Sequence, residues 1–209
     1  MTRIYPPGGY HDDELARLSD SQPFELRDRV VADLREAFER LRRRLGEHLR
    51  EGTYLAPLGV DYVEGKLGVG DHLEGLPYAF LDLPRFLEKD VTFTYRTLFW
   101  WSHGVSFSII LEGEHLGEYR RRLIANQEIL SALDVHVAVA PTPWDWMKGP
   151  GHTLPLRPDN RELVLRSFRE QSYLKCSRFL EFRDPEFREG RVDAAAFYTF
   201  QAFEPLILA

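Results

Sequence analysis

The stretch from Val91 to Glu112, VTFTYRTLFWWSHGVSFSIILE, constrains the fold more than any other part of the chain. Two runs of apolar, aromatic and β-branched residues flank a short interruption that ends in Gly104, the pattern of a long β-hairpin. A two-residue corner at His103-Gly104 sets Ser102 opposite Val105, Trp100 opposite Phe107, Leu98 opposite Ile109 and Arg96 opposite Leu111. In that register these residues form the core face. The other side sets Tyr95, Thr97, Phe99 and Trp101 against Ser106, Ser108, Ile110 and Glu112. Its mixture of rings and hydroxyls suits either a covering helix or the wall of a ligand pocket.

The flanking segments supply further layers. From Pro23 to Arg50, Phe24, Val31, Leu34, Phe38, Leu41, Leu45 and Leu49 recur at spacings that keep one helical face apolar. Pro23 suits a first helical turn and Gly52 the position beyond the last one. Phe24, Val31, Phe38 and Leu45 are also a heptad apart, so a homodimer through this helix is compatible with the sequence, while packing on the sheet is the simpler outcome. Residues 1–22 read as an irregular lead, with Pro6-Pro7-Gly8-Gly9 and a helical turn from Asp12 to Leu18. Leu76 to Leu87 predicts a third strand followed by a turn at Pro84. Leu116 to Leu133 predicts a helix, Asp134 to Ala140 a strand, and Asp159 with Glu162 a capping box that opens another helix. Tyr173 to Phe182 fits either periodicity and is read as a strand. The run from Asp193 reads as a closing helix. The expectation is one α+β domain spanning 1–209: an antiparallel sheet centred on the 91–112 hairpin, with the 23–50 helix and others packed on it.

Composition narrows the setting. At 209 residues and 44% hydrophobic the chain can bury a substantial core. A net charge of −6 gives no overall positive field for nucleic acid or an anionic membrane. Cys176 stands alone, which excludes an intrachain disulfide and fits a reducing compartment. The amino terminus lacks the apolar core of a signal peptide, and no apolar run reaches the roughly 18 residues a membrane span needs. These features predict a cytoplasmic protein.

Two segments are candidates for chemistry. Pro141 to Pro158, PTPWDWMKGPGHTLPLRP, is too long and irregular for an ordinary connection. Its Trp144, Trp146, Lys148 and His152, with His136 on the preceding strand beside small residues, make a candidate site for a small molecule or protein partner. Equally, Trp144 and Trp146 suit a plug at one end of the core. The alternative is the acidic-x-Lys triplet Glu64-Gly65-Lys66. On a strand, Glu64 and Lys66 share a side, and with Asp82 they outline a metal-dependent hydrolase or nuclease. Asp82 also suits an ion pair with Arg85 or Arg96. No phosphate loop, dinucleotide fingerprint, nucleophile elbow or paired-histidine motif occurs, and no cofactor is assigned. The leading expectation is a cytosolic binding or interaction protein that uses the 141–158 loop.

Overall fold

Among the described residues seven strands form one sheet in the order β1-β2-β3-β4-β7-β5-β6, with antiparallel pairing throughout. The computed structural model describes residues 9–209. The chain divides into two compact units, one ending at Arg35 and one from Glu36 to Ala209. The first holds α1 (Asp12–Leu18), whose start is closed by a capping box at His11 and Glu14. The Pro6 to Gly8 part of the expected lead lies outside the described residues. Phe24 is 67% exposed, so the apolar face expected of the long helix does not extend to its start.

All the strands belong to the second unit. They are β1 (Lys66–Leu73), β2 (Leu76–Glu88), β3 (Val91–Trp100), β4 (Gly104–Glu112), β5 (His136–Ala138), β6 (Thr153–Pro155) and β7 (Tyr173–Leu180). The strand expected at 173–182 is therefore present, whereas the one at 134–140 is reduced to three residues. Pro84 does not end β2. The strand passes through a cis Leu83-Pro84 bond, and the register with β3 shifts between Asp82 and Arg85.

The β3-β4 hairpin forms, but its register differs from the sequence expectation. The corner takes three residues, Trp101 to His103, with Ser102 rather than His103 in the left-handed region at φ 66 and Gly104 at φ 105. Trp100 consequently faces Gly104, Leu98 faces Ser106 and Arg96 faces Ser108. The displacement exchanges the faces of β4. Phe107, Ile109 and Leu111 now lie opposite Thr97, Tyr95 and Phe93, which gathers the apolar side chains into one layer.

That layer packs under helices. Helix α2 (Gln22–Leu49) is about 40 Å long at ~1.5 Å per residue. Within the larger unit it buries Phe38, Leu41, Leu45 and Leu49. Two of the heptad positions, Phe38 and Leu45, are thus covered within one chain and leave no free seam there for a dimer. Helix α7 (Val192–Phe203) lies against the sheet: Tyr95 Oη donates to Ala196 O at 2.6 Å, and its ring meets Phe200 edge-on. Arg40 of α2 pairs with Asp193 of α7, and His48 abuts Phe197. The expected 116–133 helix is two, α3 (Leu116–Ala125) and α4 (Gln127–Ala132), broken at Asn126. A short 3-10 turn at Pro158–Asn160 precedes α5 (Arg161–Glu170), so Asn160 takes the cap position expected for Asp159. The last short helix, α6 (Pro185–Arg188), leads into α7.

Gly104 is the residue the hairpin corner most requires. Its backbone is left-handed, and a Cβ there would lie 2.4 Å from the Leu180 carbonyl oxygen of β7. Gly104→Ala should lower stability by about 1–3 kcal/mol, read as a reduced urea midpoint with an unchanged m-value.

Candidate functional site

The sheet face away from α7 is unusual in what it buries. Following the register across five strands, Asp82, Arg96, Ser108, Ser177 and His136 stand in one row. Asp82 is fully buried, and the Arg96 guanidinium grips its carboxylate with two bonds of 2.6 Å. The Ser108 and Ser177 hydroxyls are 2.8 Å apart, and His136 Nδ1 lies 3.3 Å from the Thr153 hydroxyl. Burial lowers the His136 pKa, against the raising effect of Asp134, so its imidazole is neutral at pH 7. Lys175, facing Ile110 on the same side, is 2% exposed.

Residues 141–152 form a strap over this face. Its irregular backbone leaves carbonyl groups that need donors, and β7 and Gln171 just before it supply them. Gln171 donates to Ala140 O, Tyr173 to the carbonyls of Ala140 and Thr142, and Lys175 Nζ to Pro143 O at 3.0 Å and Asp145 O at 2.6 Å. Trp146 closes over the ammonium, with Lys175 Nζ 3.5 Å from its ring centroid. The Arg96 guanidinium lies over Phe80, Trp144 and Trp146 at 4.4, 5.3 and 5.1 Å. Rings with a negative face substitute for part of the water that both cations lose. Burial, reinforced by the Arg96 charge and opposed by Asp145, pushes the Lys175 pKa down to about 7.

The two tryptophans differ in burial. Trp146, 9% exposed, is a plug that joins Leu98, Trp100 and Ile110 in a buried cluster. Trp144, 41% exposed, forms part of the wall of an open cleft of about 560 Å³. The β1-β2 turn contributes Leu73, Glu74 and Leu76 to that cleft, and the end of the hairpin contributes Trp100 and His103. The strap closes it with Asp145, Met147 and His152 beside the tryptophans. Trp100 Nε1 donates to Leu73 O at 3.0 Å, and the His103 ring stacks 3.8 Å from that of Trp100. Asp145 braces the strap by accepting from Met147 N and bonding His152 Nδ1 at 2.8 Å.

Of the other candidates, His136 lies in the buried polar row and Lys148 beside Asp134, 3.7 Å from its carboxylate. Neither lines the cleft. Arg96, Lys175 and Trp100 were missed as site residues. The alternation of Arg96 with aromatic residues along β3 was visible, but only the true register sets Arg96 among serines and beneath the strap.

The acid-x-Lys grouping does not assemble. Asp61 accepts backbone hydrogens from Val63, Glu64 and Gly65 at 2.7 to 2.9 Å, which folds that segment into a turn rather than a strand. Burial raises the Asp61 pKa, but these three donors outweigh it and hold the carboxyl below its usual range. Gly65 is left-handed at φ 61. Glu64, with its side chain 79% exposed, turns to Arg42, and although Lys66 faces Asp82 in the register, both Asp82 oxygens are held by Arg96. Among the described residues no three His, Cys, Asp or Glu side chains are grouped to hold a metal. Comparison with protein-family models, with curated proteins and with solved structures finds no match.

Two measurements probe the covered face. Removing either partner of the Asp82-Arg96 pair leaves a buried charge alone, so Asp82→Leu and Arg96→Met should each cost about 3–5 kcal/mol in urea unfolding. The double variant should lose far less than their sum. Lys175 gives a pH signature. Between about pH 7 and the ordinary lysine value near 10.5, the unfolded chain holds a proton at this site that the folded chain has released. The penalty of burying the charge is therefore complete below about pH 7 and is relieved as pH rises. The stability of the wild type relative to Lys175→Met should climb across that window.

Proposed function

We propose that this protein is a binding protein whose cleft beneath the 141–152 strap receives a small organic ligand. The carrying observation is the cleft itself: about 560 Å³, walled by Trp100, Trp144 and Trp146, within the size range of small-molecule sites. Trp144 presents a large apolar ring to solvent on a backbone pinned by buried donors, so the site is formed before the ligand arrives. The adjacent polar row is occupied by its own internal bonds, which favours recognition over catalysis. The lone Cys176 is buried in β7, and we place the protein in the cytoplasm on that ground. Among the described residues no helix is long and apolar enough to cross a membrane.

A library of small aromatic and amine fragments, followed through the tryptophan indole N–H signals in nitrogen-proton correlation spectra, tests this reading. Binding fragments should shift the Trp144 and Trp146 signals. Trp144→Ala should weaken them about tenfold or more, as loss of a central aromatic contact does, while the circular dichroism stays native. Hits that leave both signals in place, or that bind Trp144→Ala unchanged, would remove the cleft as the site.

A further inference from the structure

The charge lining the cleft narrows the chemistry of its ligand. Its formal charges are the carboxylates of Glu74 and Asp145, and neither lysine nor arginine is part of the wall. Asp145 is committed to His152 and to the Met147 backbone. Glu74 is different: it stands exposed at the tip of the β1-β2 turn, with φ 49, and its carboxylate has no hydrogen-bond or ion-pair partner among the described residues. An anionic ligand would bring its charge against two carboxylates. A cation would find a free counter-ion and the faces of tryptophan rings.

The fold itself shows that these rings accept a cation, since the Arg96 guanidinium lies over Trp144 and Trp146 at 5.3 and 5.1 Å. Those internal charges do not close the site to another. Arg96 is neutralised by its two hydrogen bonds to the Asp82 carboxylate, and Lys175, pushed down to about 7, has given up most of its charge above neutral pH.

We propose that the cleft binds an organic cation, an ammonium group carried on an apolar body, with the head between the tryptophan faces and Glu74. This inference rests on the cleft being the binding site.

Choline and 3,3-dimethyl-1-butanol have the same shape and differ in the charged nitrogen, so the pair isolates the contribution of charge. Titrated at pH 8 against the full chain and followed by the same indole signals, choline should bind about tenfold tighter than the alcohol. Glu74→Gln, an exposed change that should leave the fold intact, should reduce that ratio to about threefold or less. Equal affinities, or a ratio unchanged in Glu74→Gln, overturn the cation assignment and leave the cleft as an apolar site. If neither probe moves the Trp144 and Trp146 signals while other fragments do, the cation assignment falls and the binding reading stands. If no fragment moves them, both fall.

Discussion

A part-buried Arg96 and a buried Lys175 on one sheet face organise this half of the molecule. Arg96 and Lys175 have left water, and each is tolerable only because donors, acceptors and rings were brought to it from elsewhere in the chain. Asp82 comes from β2, the carbonyls of Pro143 and Asp145 come from the strap, and Trp146 covers both. The strap's path follows from these demands. Its prolines and irregular turns supply carbonyl groups without the competing hydrogen bonds of a strand or helix, and β7 turns that deficit into attachment.

The opposite face shows the contrasting solution. There Tyr95 meets α7 and Phe93 meets Tyr119 of α3, with Phe107 and Ile109 buried in the same layer, and burial of apolar area holds the layers together. The sheet is thus a partition between a conventional apolar core and a polar, aromatic layer. Its residues alternate accordingly. The open cleft lies where the strap, the β1-β2 turn and the β3-β4 corner fail to close on one another, which leaves Trp144 and Glu74 facing solvent.

The reading of the acid-x-Lys triplet turns on the local backbone. It presumed a regular strand through Glu64 and Lys66, but Asp61 two residues before Val63 gathers three amide hydrogens and bends the segment. A carboxylate two to four positions upstream of a glycine is a turn former before it is a metal ligand. Asp82 is instructive in the same way. Its pairing with Arg96 was among the sequence expectations, and each of its carboxylate oxygens accepts one hydrogen bond from the guanidinium.

The sequence by itself determined the α+β class, the long helix, the central hairpin and the irregularity of the 141–158 segment, because hydrophobic period, glycine placement and proline density are local properties. It left Trp144 and Trp146 undecided between plug and binding surface, and the structure gives the two rings different exposures. Tertiary structure alone decided the register of β3 on β4, since one left-handed serine adds a residue to the corner and reverses which side of β4 meets the helices. It also decided that Lys175, indistinguishable in sequence from a surface lysine, would be buried beneath Trp146. The physical reason is the same in both cases: which side of a strand is buried depends on partners distant in sequence, and the pleat turns a small change of register into a change of face.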